Sequence, residues 1–147
     1  MPIQQGFPYL RVTDGAAALA WYCAVFGARE LFRLTDPENG RLGHAEMEFG
    51  PNVVIMLSSA YPEMGIGAPS GELGQAVHLH VDDADVLMAK ALDAGATCLR
   101  PVRTQFYGER GGAFRDPWGH EWMVGHEVER VEPAEMQRRW DEMVRGA

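Results

Sequence analysis

The chain repeats itself. Asp14 recurs as Asp82, Ala16 as Ala84, and Gly27-Ala28 as Gly95-Ala96, each pair 68 residues apart. Gly50 and Gly119 match at a spacing of 69. Solenoid repeats run at ~20–50 residues. A longer period, used only twice in 147 residues, marks a duplicated module of several elements. Whatever the first half folds into, the second half must fold into as well.

In the first half, Gly6-Phe-Pro-Tyr-Leu-Arg-Val12 alternates bulky and polar residues and reads as a strand. Asp14 offers an N-cap, and Leu19, Tyr22 and Phe26 share a helical face over Ala16 to Phe26. Gly27 ends that helix in the left-handed C′ position. Strands follow at Ala28 to Leu34, Gly43 to Phe49 and Val53 to Leu57, separated by Asp36-Pro-Glu-Asn-Gly40 and Gly50-Pro-Asn52. Within the third strand His44, Glu46 and Glu48 point one way, Ala45, Met47 and Phe49 the other.

Tyr61 to Leu73 is rich in Gly and Pro and reads as a linker. The second half then repeats the plan. A strand at Ala76 to Val81 leads to a helix over Ala84 to Ala94, capped by Asp82 or Asp83 and stopped by Gly95. Strands follow at Thr97 to Val102, Gly111 to Arg115 and His120 to Val124. The expected organisation is one α+β domain over 1–147. Module one covers 1–60, the linker 61–73, module two 74–128 and a C-terminal helix 132–145. Each module is βαβββ. Pro133 opens the last helix, whose Met136, Trp140 and Met143 or Val144 form an apolar face expected to pack on the body or on a partner chain.

Composition narrows the function classes. Apolar residues make up 46% and charged residues 23%, which excludes a disordered chain. The formal net charge of −8 disfavours nucleic acid and anionic membranes as partners. No apolar run approaches the ~18–20 residues of a membrane helix, and the N-terminus lacks the pattern of a signal peptide, so a cytoplasmic location is expected. Cys23 and Cys98 are too far apart for a CxxC motif and are expected to be reduced. Gly-x-Ser-x-Gly and phosphate-loop motifs are absent from the sequence. Cys23 has no basic neighbour in sequence to activate it.

Several segments resemble the vicinal oxygen chelate superfamily of glyoxalases, bleomycin-resistance proteins and extradiol dioxygenases. They are Leu10-Arg-Val-Thr-Asp14, Trp21-Tyr22, Phe26-Gly-Ala28, His78-Leu-His-Val-Asp-Asp83, Ala94-Gly-Ala96 and Asp116-Pro-Trp-Gly-His120. The glyoxalase-like branch is suggested by His44-Ala-Glu46 and by the Phe106-Tyr-Gly-Glu-Arg110 loop. The resemblance implies paired βαβββ modules in a cupped, eight-stranded mixed sheet around a cavity. It also implies a homodimer, sometimes with exchanged modules. Metal-dependent members place His or Glu ligands at four inward strand positions, which here fall on Phe7, Met56, Ala76 and Met123. None of these suits a hard divalent ion. The expectation is therefore no metal and no cofactor. A displaced site from His44, Glu46, His78 and His80 is the less favoured alternative.

The replacements line a cavity with apolar groups. Phe7, Tyr9, Met56 and Met123 are expected to contact a flat organic ligand, with His44 and His78 as hydrogen-bonding pocket residues. Phe106 and Tyr107 could stack on that ligand from a mobile lid, and Arg110 could pair with an acidic one. Asp116-Pro-Trp-Gly119 reads as structural. Two functions remain. The preferred one is a metal-independent binding protein for an aromatic or cationic small molecule, with sequestration of a drug or metabolite as the implied role. The other is a lyase, isomerase or dioxygenase using a displaced metal or His44 as acid–base. Catalytic residues are not assigned.

Overall fold

In the computed structural model, which describes residues 1–146, the expected module appears twice. The first comprises β1 (Tyr9–Val12), α1 (Gly15–Phe26), β2 (Arg29–Thr35), β3 (Leu42–Gly50) and β4 (Val53–Ser59). The second comprises β5 (Val77–His80), α2 (Ala84–Asp93), β6 (Thr97–Thr104), β7 (Glu109–Arg115) and β8 (Glu121–Glu127). A short 3-10 turn at Pro62–Met64 lies between them, and α3 (Pro133–Val144) follows.

The caps sit where the side chains can satisfy free helix donors. Asp14 accepts from the Ala17 amide and Asp83, rather than Asp82, from that of Val86. Gly27, at φ 69°, closes α1 in a conformation that costs other residues energy.

The eight strands form two four-stranded sheets, ordered β1-β4-β3-β2 and β5-β8-β7-β6. In each, the first strand runs parallel to the last and the other pairings are antiparallel. No ladder joins the two sheets among the described residues. Instead β1 and β5 flank a space of about 380 Å³ lined by Tyr9, Gln75, Ala76, His78 and His120. Pro101 falls in β6, an edge strand, and the pairing with β7 is irregular around it.

Each sheet has a covered face and an open face, because side chains alternate along a strand. The covered faces carry Leu10, Val12, Ala45, Met47, Ile55 and Leu57 in sheet one, and Phe114, Trp122 and Val124 in sheet two, all buried against the helices. One core joins the two modules through α1. The Phe26 ring lies 4.6 Å from that of Trp122, and Trp21 Nε1 donates to the Ala94 carbonyl at 2.8 Å.

The Asp116 turn anchors that joint, as its structural reading expects. Asp116 is buried and accepts from Tyr22 Oη at 2.5 Å, Trp122 Nε1 at 2.9 Å and the amides of Trp118 and His120. Burial, together with the neighbouring Asp116 carboxylate, pushes the Tyr22 phenol well above its ordinary pKa.

The C-terminal helix differs from expectation. None of its residues is buried, and Met143 and Val144 stay exposed. Its attachment is narrow: Trp140 meets the Phe106 ring at 5.8 Å, and Arg139 donates to the Phe106 carbonyl and pairs with Glu129. Five charged side chains and a glutamine on 12 residues leave too little apolar stripe to enter a core, so charge pairs hold it in place.

Candidate functional site

The open faces carry the chemistry. On sheet one, Tyr9 stands beside Met56 in the β1–β4 register, and Met56 beside Glu46 in the β3–β4 register. Tyr9 reaches across β4 to His44. A carboxylate can only accept, so His44 Nε2–H donates to Glu46 Oε2 at 2.8 Å. That leaves Nδ1 to accept from the Tyr9 hydroxyl, also at 2.8 Å. The result is a hydrogen-bonded chain Tyr9–His44–Glu46 on a partly exposed surface. The Phe32 ring, 5.6 Å from His44, adds apolar area nearby, and Phe7, two residues before Tyr9, is exposed.

Sheet two presents a groove of about 320 Å³, near the lower limit for organic ligands. His78, Arg100, Phe106, Tyr107, Met123 and Trp140 line it. Three rings form its aromatic wall: Phe106 and Tyr107 meet edge to face at 5.1 Å, and Phe106 contacts Trp140. Burial and nearby Glu109 raise the Tyr107 phenol above its usual pKa, keeping it a neutral donor. The groove exists because sheet two is thin there. Gly111 and Gly125 face each other across β7 and β8 and present no side chains.

The sequence-derived residues thus separate into two groups. Tyr9, His44 and Met56 belong to sheet one, with Phe7 in the segment just before β1; His78, Phe106, Tyr107 and Met123 belong to the groove on sheet two. Arg110 joins neither. Its guanidinium donates to both carboxylate oxygens of Asp85, at 2.7 and 2.8 Å, at the start of α2. On β7 it alternates with Glu109, so it points to the helix side while Glu109 faces the open side. The proposed convergence of His44 and Glu46 with His78 and His80 is also replaced by two separate clusters. His78 and His80 gather around Glu109 instead.

Three contributors escaped the sequence reading: Arg100, Glu109 and Trp140. The alternation of β7 was the available signal for Glu109. Nothing local signals Trp140, whose place depends on how α3 lies. The positions that the vicinal oxygen chelate resemblance assigns to metal hold Phe7, Met56, Ala76 and Met123, none of which suits a hard cation. A metal at those positions does not fit this chain. A wider cleft of about 660 Å³ opens beside Phe26, Phe49, Val86 and Leu87, with His78, His80, Asp82 and Lys90 in its lining, while Asp83 there caps α2.

The comparisons agree with this architecture. The profile of the Glyoxalase/Bleomycin resistance protein/Dioxygenase superfamily matches residues 5–124. An uncharacterized protein of Mycobacterium bovis is 36% identical over 135 residues, covering 88% of both chains. The crystal structure of TioX from Micromonospora sp. ML1 shares 26% identity at a TM-score of 0.64, covering 84% of this chain and all of that one. Protein PA1353 from Pseudomonas aeruginosa shares 24% identity at a TM-score of 0.73, covering 86% of this chain and all of that one, and supports the fold alone. With its duplicated βαβββ modules and a family match spanning most of its length, the chain belongs to the glyoxalase/bleomycin resistance protein/dioxygenase superfamily.

Proposed function

We propose that the protein binds a small aromatic molecule in the sheet-two groove, holding it by stacking and apolar contact rather than through an ion at the family's four strand positions. The carrying observation is the wall of Phe106, Tyr107 and Trp140 facing Met123 in a groove of about 320 Å³. Aromatic rings supply area with little entropy to lose, and methionine adapts to ligand shape. Tyr107, His78 and Arg100 supply polar contacts that would orient the ligand. Sequestration of a drug or metabolite fits such a site, and a second copy of the chain is the proposed protein partner.

The test is tryptophan fluorescence against a panel of planar aromatic cations and neutral planar aromatics. At least one member should quench it saturably at micromolar concentration, and Phe106→Ala should weaken that binding about tenfold, equivalent to ~1.4 kcal/mol. Binding that is unchanged in Phe106→Ala, or absent throughout the panel, contradicts the proposal.

The Tyr9–His44–Glu46 chain favours a second reading, acid–base chemistry at His44. It predicts exchange of an acidic carbon-bound proton of a carbonyl compound into heavy water, seen by NMR and lost in His44→Ala. Equal exchange by wild type and variant excludes it.

A further inference from the structure

We propose that His78, His80 and Glu109 hold a divalent first-row transition-metal ion at a place displaced from the family's metal position. The inference goes beyond the aromatic-ligand reading and does not depend on it.

The site is built by strand order. β5 and β7 flank β8, so His80 and Glu109 come from strands that are not neighbours. They meet because Gly125, between them on β8, has no side chain. His80 stands beside Gly125 in the β5–β8 register, and a Cβ at position 125 would lie 2.9 Å from Glu109 Oε1. The missing Cβ is the cradle in which the carboxylate sits.

The distances suit coordination. Glu109 Oε1 lies 3.0 Å from His80 Nε2 and 3.7 Å from His78 Nε2. One donor atom from each residue can be chosen so that all three lie within 4.8 Å of one another. Bonds of ~2.1 Å to one ion place neighbouring donors roughly 3.0–3.4 Å apart, within small side-chain rotations of what is seen. Two imidazoles and one carboxylate form a donor set that suits Fe(II), Zn(II) or Mn(II) and leaves coordination positions open.

A plain histidine–glutamate contact explains the cluster less well. Glu109 Oε1 is buried and has no hydrogen bond of acceptable geometry, despite the two nearby imidazoles. A buried carboxylate oxygen without a partner is costly, and an ion among the three groups would satisfy it. Glu127, opposite Glu109 in the β7–β8 register, adds negative charge to that end of the sheet. Side-chain exposures of 39% for His78 and 72% for His80 leave an entry path. His78 and Glu109 also border the aromatic groove, so open positions on the ion would favour ligands carrying an oxygen or nitrogen donor beside a ring.

The test uses the full chain without a histidine tag, titrated with Co(II) and Zn(II) alone. Bound metal is counted by mass spectrometry, and Co(II) is followed by its visible absorption. About one equivalent per chain is expected, with affinity reduced about 100-fold or more in His80→Ala and Glu109→Gln. Gly125→Ala removes no donor but displaces the carboxylate, and should cost about 10–100-fold. His120→Ala, which removes a histidine outside the cluster, should bind as wild type does. The exposed His80 gives a variant expected to fold even if Glu109→Gln does not. Less than about a tenth of an equivalent of each ion, unchanged affinity in His80→Ala, or loss in His120→Ala overturns the site. Tryptophan quenching measured on metal-free protein reports the groove separately, so either proposal can fail alone.

Discussion

The two sheets share strand order and pairing directions, yet their open faces are built differently. On sheet one, Met56 on β4 is flanked by Tyr9 and Glu46; on sheet two, Met123 on β8 is flanked by His78 and Ala113. Beyond the methionines, Arg11 stands beside Ser58, while His80 stands beside Gly125. Sheet one keeps larger side chains, and its polar groups hydrogen-bond along the surface. Sheet two replaces side chains with glycine, so groups from non-adjacent strands meet and a groove opens. The duplicated frame is shared, and a few glycines change the shape of one open face.

The largest expected effect comes from refilling that thin region. A Cβ at Gly111 would meet the Val124 carbonyl oxygen at 2.5 Å, a backbone atom that cannot swing aside, whereas one at Gly43 of β3 meets nothing closer than 3.9 Å. Gly111→Ala should cost about 2–3 kcal/mol in urea unfolding. Gly43→Ala should change stability by less than about 0.5 kcal/mol. Similar costs for both would break the contrast between the sheets.

Removing the polar chain on sheet one is a smaller change. His44→Ala should lower stability by about 1 kcal/mol, because Tyr9 and Glu46 lose their partner but can turn to water. The exposed His80→Ala should shift the metal-free protein by less than about 0.5 kcal/mol. An equal loss in both would mean that His80 and Glu109 already form a stabilising pair.

The joint between modules should respond to pH as a unit. Tyr22 has a raised pKa in the fold, so its contribution is complete below the unfolded tyrosine value of ~10 and is lost as pH rises through the folded value. Stability should therefore fall above about pH 10, and both sheets should unfold together. Tyr22→Phe should flatten that alkaline limb.

The smallest effect concerns α3. Hydrogen bonds from Arg138 and Arg139 hold the Glu135 carboxyl down at about 2. Its contribution is complete above the ordinary glutamate range and lost as pH falls toward that value. Helical circular dichroism should decline there with little change in the sheets.

Local patterning carried the fold. The repeat, the Asp caps and the strand alternation placed every helix and strand to within a few residues, because each depends on neighbours in sequence. The site was legible only in pieces. Alternation put His44 with Glu46, and His78 with His80, on common faces. Joining His80 to Glu109, 29 residues later, required the β5-β8-β7 order and the gap at Gly125. Arg110 was assigned to the ligand side, but one residue along a strand reverses the face. Trp140 depends on the seating of a charged helix that no core position fixes.

The proposed ligand-binding face is sheet two and not its duplicate. Met56 and Met123, at corresponding places on the last strand of each sheet, are matched reporters for methyl-labelled NMR. Titration with Zn(II), and separately with a planar aromatic that quenches the tryptophans, should shift the Met123 methyl and leave Met56 in place. His80→Ala should suppress the Zn(II) shift while sparing the aromatic one. Movement of Met56 with Met123 unmoved would contradict the account and return the site to sheet one.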